Sequence, residues 1–434
     1  MKLLLTIIIL LSFTVFPQEK IKLTLEESIK IGLEKSRRIN ISKMKLMKAE
    51  AKLSEVNTER LPSLNFSASY TRLSDIDPFS INTQFGNFSI IENIPNSFNL
   101  RLSLRQPLFT GFRLKSASEI AEYNLLAAEE ELTQAEQDLM LDIKTAYWNL
   151  YKAIMLKKIV DENVEQIKVH LTDVENFLNE GLATNNDLLK VKVQLGEVQL
   201  RQIDVVNLIK LAMLNLNNLI ELPLTTEIEI AEELPEQSAT GGDDLENLKE
   251  KAWQNRPELK AMEYRVKAGE TGIDVAQSGW YPQLFLNGNY YYANPNQRYF
   301  PPDDKFRDSW DVSVTLSFDI WNWNKTGHQT MQAEADFEQV KDNYKILKDA
   351  ISLQVTQNYL NLIQIKEKLV VSKTSVEQAE ENYRVASELY KEGLLLNSEL
   401  LDVEVALLQI KTNYIQTVID YEIAKAKLER AVGE

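Results

Sequence analysis

Two stretches decide how this chain is read: NEGLATNNDLLKV at 179–191 and KEGLLLNSELLDV at 391–403. Each places Glu-Gly-Leu ahead of polar residues, an acid and a pair of leucines. With only 14 glycines in 434 residues, two in the same setting form a pattern. Gly181 and Gly393 stand 212 positions apart, and the same offset lays AYWNL (146–150) on NYLNL (358–362) and LSLRQPLFTG (102–111) on VTLSFDIWNW (314–323). Further upstream, RLPSLNFSASY from Arg60 matches WYPQLFLNGNYY from Trp280, with Pro62 and Pro282 now 220 apart. The intervening loop is therefore 8 residues shorter in the second copy, a difference that loops absorb and paired elements do not. The chain is one unit written twice.

Each copy reads helix, strand, loop, strand, long helix, turn, helix. The first repeat is expected over 20–222 and the second over 244–434, with a linker or equatorial segment at 223–243 that carries Pro223, Pro235, Gly241 and Gly242. In the first copy Leu139, Ile143, Ala146, Leu150, Ala153, Lys157, Val160, Val164, Ile167, Leu171, Val174 and Leu178 alternate steps of four and three. That 3.5-residue period keeps one seam facing a partner helix. A helix over about 115–180 would be roughly 100 Å long at 1.5 Å per residue. The second copy keeps the register through Ile351, Val355, Leu362, Ile365, Leu369 and Val376.

Between the helices lie strands. Leu64, Phe66, Ala68 and Tyr70 alternate with Asn65, Ser67, Ser69 and Thr71, and Phe98, Leu100, Leu102 and Leu104 with Asn99, Arg101, Ser103 and Arg105. Trp310, Val312, Val314, Leu316 and Phe318 alternate with Asp311, Ser313, Thr315 and Ser317, and the segment from Leu284 repeats the pattern less cleanly. Period two with one apolar face marks half-buried strands. Strands of about ten residues, apolar outward and polar inward, fit the wall of a transmembrane β-barrel. Trp280, Trp310, Trp321 and Trp323 gather at the ends of the second-copy strands, where an interfacial aromatic girdle belongs. Four strands cannot close, and lipid leaves no partner for open backbone edges. Several chains must then share one barrel.

Composition narrows the function classes. Formal net charge is −16 without a basic patch, which argues against a nucleic-acid partner. Lys2 followed by an apolar run to about Phe16 reads as a secretory signal peptide over 1–19, too short to span a bilayer. The absence of cysteine excludes thiol nucleophiles, thiolate metal sites and disulfides. No glycine-rich phosphate loop or metal-ligand spacing appears, so no catalytic residue, cofactor or metal is expected and the chain does not read as an enzyme. The two histidines, His170 and His328, lie far in sequence from any acid-and-nucleophile cluster, with His170 read on a helix face among charges. A soluble periplasmic coiled-coil adaptor would use the same hairpins but lack the alternating strands.

Taken together, the duplication, the LPSL and YPQL strand starts, QPLFTGFR from Gln106 and the two Glu-Gly-Leu turns resemble the TolC family of outer-membrane efflux proteins. The resemblance covers essentially the whole mature chain. It implies a homotrimer in which four strands per chain complete a 12-stranded barrel in outer-membrane lipid, and a helical tunnel in the periplasm. It also implies a passive duct, coupled through a periplasmic adaptor to an inner-membrane pump. On the same resemblance Gly181, Leu182, Gly393 and Leu394 are hairpin-tip contacts for the adaptor, and Glu399 and Asp402 form carboxylate rings at the periplasmic aperture. Asp187 and Tyr390 match positions that tie the family's tips together when closed. The family arginine two residues past the second glycine is replaced here by Leu395, so packing is expected to take over part of that closure.

Overall fold

The computed structural model describes residues 20–77, 79–91, 93–231 and 244–434. The expected signal peptide over 1–19 lies outside the described residues, as does most of the 223–243 segment. In chain order the elements are β1 (Ile21–Leu23), α1 (Leu25–Lys35), α2 (Arg37–Thr58), β2 (Ser63–Arg72), β3 (Phe79–Thr83), β4 (Gly86–Ile91), β5 (Asn96–Thr110), α3 (Arg113–Asn179) and α4 (Asn185–Leu219). Then follow β6 (Ile228–Ile230), α5 (Leu245–Asn255), α6 (Pro257–Gln277), β7 (Gln283–Asn294), β8 (Arg307–Ser317), α7 (Lys325–Lys391) and α8 (Asn397–Val432).

The long helices α3 and α7 are each 67 residues without a break. Neither contains an internal proline. The single helix expected at the start of the first copy is instead two, because Ser36 adopts an extended conformation (φ −61°, ψ 126°) that ends α1. α1 itself starts on a full capping box, in which Thr24 Oγ1 accepts from Glu27 N–H while Glu27 Oε2 accepts from Thr24 N–H at 2.9 Å.

The chain divides into two compact units. One holds the described residues up to Ile41 with Thr133–Arg256 and Asp349–Glu434. Its core is the helix seam: Leu139, Ile143, Ala146, Leu150, Ala153, Val160, Val164, Ile167 and Val174 of α3 are all buried. Lys157, which interrupts the seam, pairs with Asp161 one turn on. In the same unit β1 pairs in parallel with β6, and Tyr147, wholly buried, donates to the Leu23 carbonyl at 3.3 Å. The buried Arg256 donates to the carbonyl of Arg430 at 3.1 Å, and Arg430 is paired with Asp138 at 2.8 Å.

The other unit comprises Ser42–Leu132 and Pro257–Lys348. It carries an antiparallel sheet of order β2-β5-β7-β8. Its registers put Leu64 opposite Leu104, Leu102 opposite Tyr290, and Tyr290 opposite Trp310, all on one face. The other face carries Ser67, Arg101, Tyr291 and Ser309 in one row, and Asn65, Ser103, Asn289 and Asp311 in the next. Within the chain β7 is half-buried as expected, but the edge strand β2 and most of β8 are exposed. Leu64, Phe66 and Val312 are 66%, 64% and 64% exposed, because no helix or second sheet covers the apolar face among the described residues. The longer loop of the first copy, expected to be without strands, contains a two-stranded hairpin of β3 and β4. No helix among the described residues is long and apolar enough to cross a membrane.

Candidate functional site

The two Glu-Gly-Leu stretches fold into the same device. Gly181 and Gly393 have φ of +80° and +72°, the left-handed conformation that glycine adopts without a Cβ penalty. At the first, the Gly181 N–H donates to Leu178 C=O at 3.1 Å and the Leu182 N–H to Phe177 C=O at 2.8 Å. At the second, the Gly393 N–H donates to Tyr390 C=O at 3.0 Å and the Leu394 N–H to Leu389 C=O at 2.8 Å. These are paired Schellman closures, which satisfy the last carbonyls of α3 and α7. They leave Leu182 and Leu394 73% and 74% exposed at the tips, an apolar projection that packing inside the chain does not explain.

The restarts differ. α4 begins on a complete capping box: Asp187 Oδ2 accepts from Thr184 N–H at 3.0 Å and from Thr184 Oγ1 at 2.6 Å, while Thr184 Oγ1 accepts from Asp187 N–H at 3.2 Å. Those bonds from the Thr184 hydroxyl and backbone hold the Asp187 carboxyl below its usual range. α8 keeps only half of the box, because Leu396 occupies the cap position and has no side-chain acceptor. Glu399 Oε2 accepts from Leu396 N–H at 3.3 Å. Glu399 and Asp402, three residues apart, are both exposed on the first turns of α8. Asn397, buried, joins the tips by donating to the Asp187 carbonyl at 3.4 Å.

A cavity of about 500 Å³ lies between the tips and brings together Leu182, Asp187, Tyr390 and Gly393 of the expected residues, with Leu395, whereas Gly181, Leu394, Glu399 and Asp402 do not line it. Tyr390 is buried, with its ring edge-on to His170 at 5.0 Å and to Phe177 at 5.6 Å. Burial, together with the charges of Asp173, Asp187 and Glu404, pushes the Tyr390 phenol up to about 12. Leu395 packs onto the core formed by α3, α4, α7 and α8.

His170, expected on a helix face among charges, is instead buried in the helix core. His170 and Glu404 are 3% and 1% exposed, and His170 Nδ1 lies 3.0 Å from Glu404 Oε2. The heptad seam puts residue 170 next to the buried Ile167 and Val174, a signal that the polar character of histidine masked. Glu404 was missed for the same reason: it sits among Leu400, Leu407 and Leu408 on the buried face of α8.

At the sheet, Trp280, Trp310, Trp321 and Trp323 are all exposed. Trp310 lies opposite Tyr290 near the loop end of β8, whereas Trp321 and Trp323 follow the other end of β8 and pack edge to face at 5.6 Å. Trp280 immediately precedes β7.

Comparison with known proteins now identifies the family. The family model described as Outer membrane efflux protein matches residues 29–220 and 248–434. The chain is 21% identical over 333 residues to "Toxin and drug export protein A" of Aggregatibacter actinomycetemcomitans, covering 73% of this chain and 69% of that protein. It is 20% identical over 412 residues to the "Probable outer membrane lipoprotein SilC" of Salmonella typhimurium, covering 90% and 81%. Among solved structures, VceC of Vibrio cholerae superposes with a TM-score of 0.77 at 18% identity, over 94% of this chain and 96% of that one. The CmeC outer membrane channel of Campylobacter jejuni gives 0.77 at 14% identity, over 94% and 85%. With nearly all of both halves matched, this chain belongs to the outer membrane efflux protein family.

Proposed function

We propose that the protein is the outer-membrane channel of a tripartite efflux or type I secretion system: a passive exit duct, joined through a periplasmic adaptor to an inner-membrane pump. The observation that carries the reading is the open sheet. β2 and β8 are its edge strands, and its apolar face has no cover among the described residues. In lipid each unpaired backbone group costs several kcal/mol. Because the strands number four and alternate in direction, β8 of one copy meets β2 of the next antiparallel. Three copies give twelve strands and a closed wall. The helices supply a matching surface. Leu189, Val193, Leu200, Ile203 and Leu211 of α4 are exposed, as are Leu353, Leu360, Val370 and Val371 of α7, and neighbouring copies in a homotrimer would bury both stripes.

In that trimer Leu182 and Leu394 at the glycine turns are the adaptor contacts. Glu399 and Asp402 form carboxylate rings at the aperture, with Asp187 and Tyr390 beside them. Carboxylate rings favour cations at a narrow mouth. Purified protein in planar bilayers is expected to give channel currents that divalent cations block from the tip side. E399A/D402A is expected to weaken that block about tenfold or more, as loss of charge-assisted contacts would. Channels whose divalent block is the same in the double variant would contradict the aperture assignment, and no channel at all would contradict the duct.

A further inference from the structure

The polar face of the sheet carries charges of the opposite sign to the acidic tips. Within the paired registers of that face the ionised side chains are Arg101 and Arg105 of β5 and Arg307 and Asp311 of β8. Arg307 is neutralised by a two-pronged pair with Asp303, at 2.9 Å from Nε and 2.6 Å from Nη2. Asp311 is taken by Asn289, whose Nδ2 donates to it at 2.8 Å. The same Asn289 turns its Oδ1 towards Arg101, accepting from Nε at 3.1 Å and Nη2 at 2.7 Å. Among the described residues neither Arg101 nor Arg105 is ion-paired with a carboxylate. That is unexpected in a chain of net charge −16.

Both guanidiniums are also held against the wall by rings on β7. Arg105 lies 4.1 Å over the Phe285 ring, and Arg101 lies 5.4 Å over that of Tyr291. A ring on one face of a guanidinium fixes its plane while leaving in-plane N–H groups at the edge. That edge is the geometry that receives carboxylate, sulfonate or phosphate oxygens two at a time. The residues stand four apart on one strand, or about 13 Å along it, and so form two tiers.

We propose that Arg101 and Arg105 form an anion-binding section on the duct wall, which engages organic anions, flat aromatic ones best, on their way out. This deepens the duct reading and rests on it. Twelve strands about 4.8 Å apart and tilted about 40° close into a cylinder about 24 Å across. Its radius of about 12 Å, less the reach of the side chains, is close to the Debye length of about 8 Å. Arginines from three copies therefore act together on a solute near the axis, while the acidic residues that dominate the net charge are screened. Aromatic rings beside the cations add a stacking surface that simple inorganic anions cannot use.

The test is current block of bilayer channels by naphthalene disulfonate added on the barrel side, compared with sulfate at equal ionic strength. In wild type the aromatic dianion is expected to block at concentrations well below those at which sulfate does. R101Q/R105Q should raise its half-block concentration about tenfold or more, and R101K/R105K, which keeps charge but loses the planar fork, should fall between. The single variants R101Q and R105Q stand in if the double variant does not insert. Conducting channels with the same half-block concentration in wild type and the Gln variants would overturn the proposal while leaving the duct intact. Wild-type protein that forms no channels would overturn both.

Discussion

At Gly393 an added Cβ would meet no heavy atom within 4 Å, so only the positive φ of +72° opposes a side chain there. At Gly111 the φ is +62°, and a Cβ would also fall 2.6 Å from the Ser278 carbonyl oxygen and 2.8 Å from Tyr281 Cβ. G393A should therefore cost about 1–2 kcal/mol, the left-handed penalty alone, and G111A clearly more, because backbone must also shift. Thermal unfolding of the two variants in detergent checks the order, and equal losses would contradict it. Tyr390 gives a second residue-scale prediction. Its phenol is raised to about 12, so its contribution to stability is intact below the unfolded value of about 10 and is lost as pH rises through about 12. Wild type should lose stability relative to Y390F across that alkaline window. Parallel denaturation curves would show that the buried phenol is not what the alkali titrates.

Among the elements, the four helices behind the tips are tied by a buried polar pair as well as by leucine. His170 on α3 and Glu404 on α8 are both almost fully buried, so removing one partner leaves the other polar and unpaired. H170A is expected to cost about 3 kcal/mol or more, while H170F/E404L, which removes both, should recover much of the loss. Urea unfolding of the two variants measures this, and a double variant as unstable as H170A would show that packing, not pairing, is at stake. The same elements show what can be read from sequence. The heptads placed α3 within two residues, and period-two alternation found β2, β5 and β8, because burial against one partner leaves a periodic mark. The break at Ser36 left none, since residues on both sides suit a helix. The β1–β6 pair escaped because three-residue strands are too short to show a period. The His170–Glu404 pair escaped because its chemistry depends on two helices 234 positions apart in the chain. The tip glycines were legible because a left-handed residue at a helix end is nearly always Gly. The tip cavity and the half-formed cap at Leu396 required coordinates.

At the scale of the whole molecule, the proposed duct needs more than one chain. Among the described residues the chain's sheet ends in two unpaired edges, its apolar sheet face is bare, and α4 and α7 carry exposed apolar stripes. In the proposed duct, identical copies around a common axis would resolve all three features, and a closed antiparallel wall of four-stranded chains needs a whole number of them. Eight strands from two copies would leave an interior filled by side chains, whereas twelve leave an open lumen. The number of chains per particle is thus the quantity on which barrel, duct and aperture rings all depend. Light scattering of the detergent-extracted protein, with the detergent contribution subtracted, measures it directly. Three chains per particle are expected for the proposed duct, and a monodisperse monomer, in detergent or free of it, would rule it out.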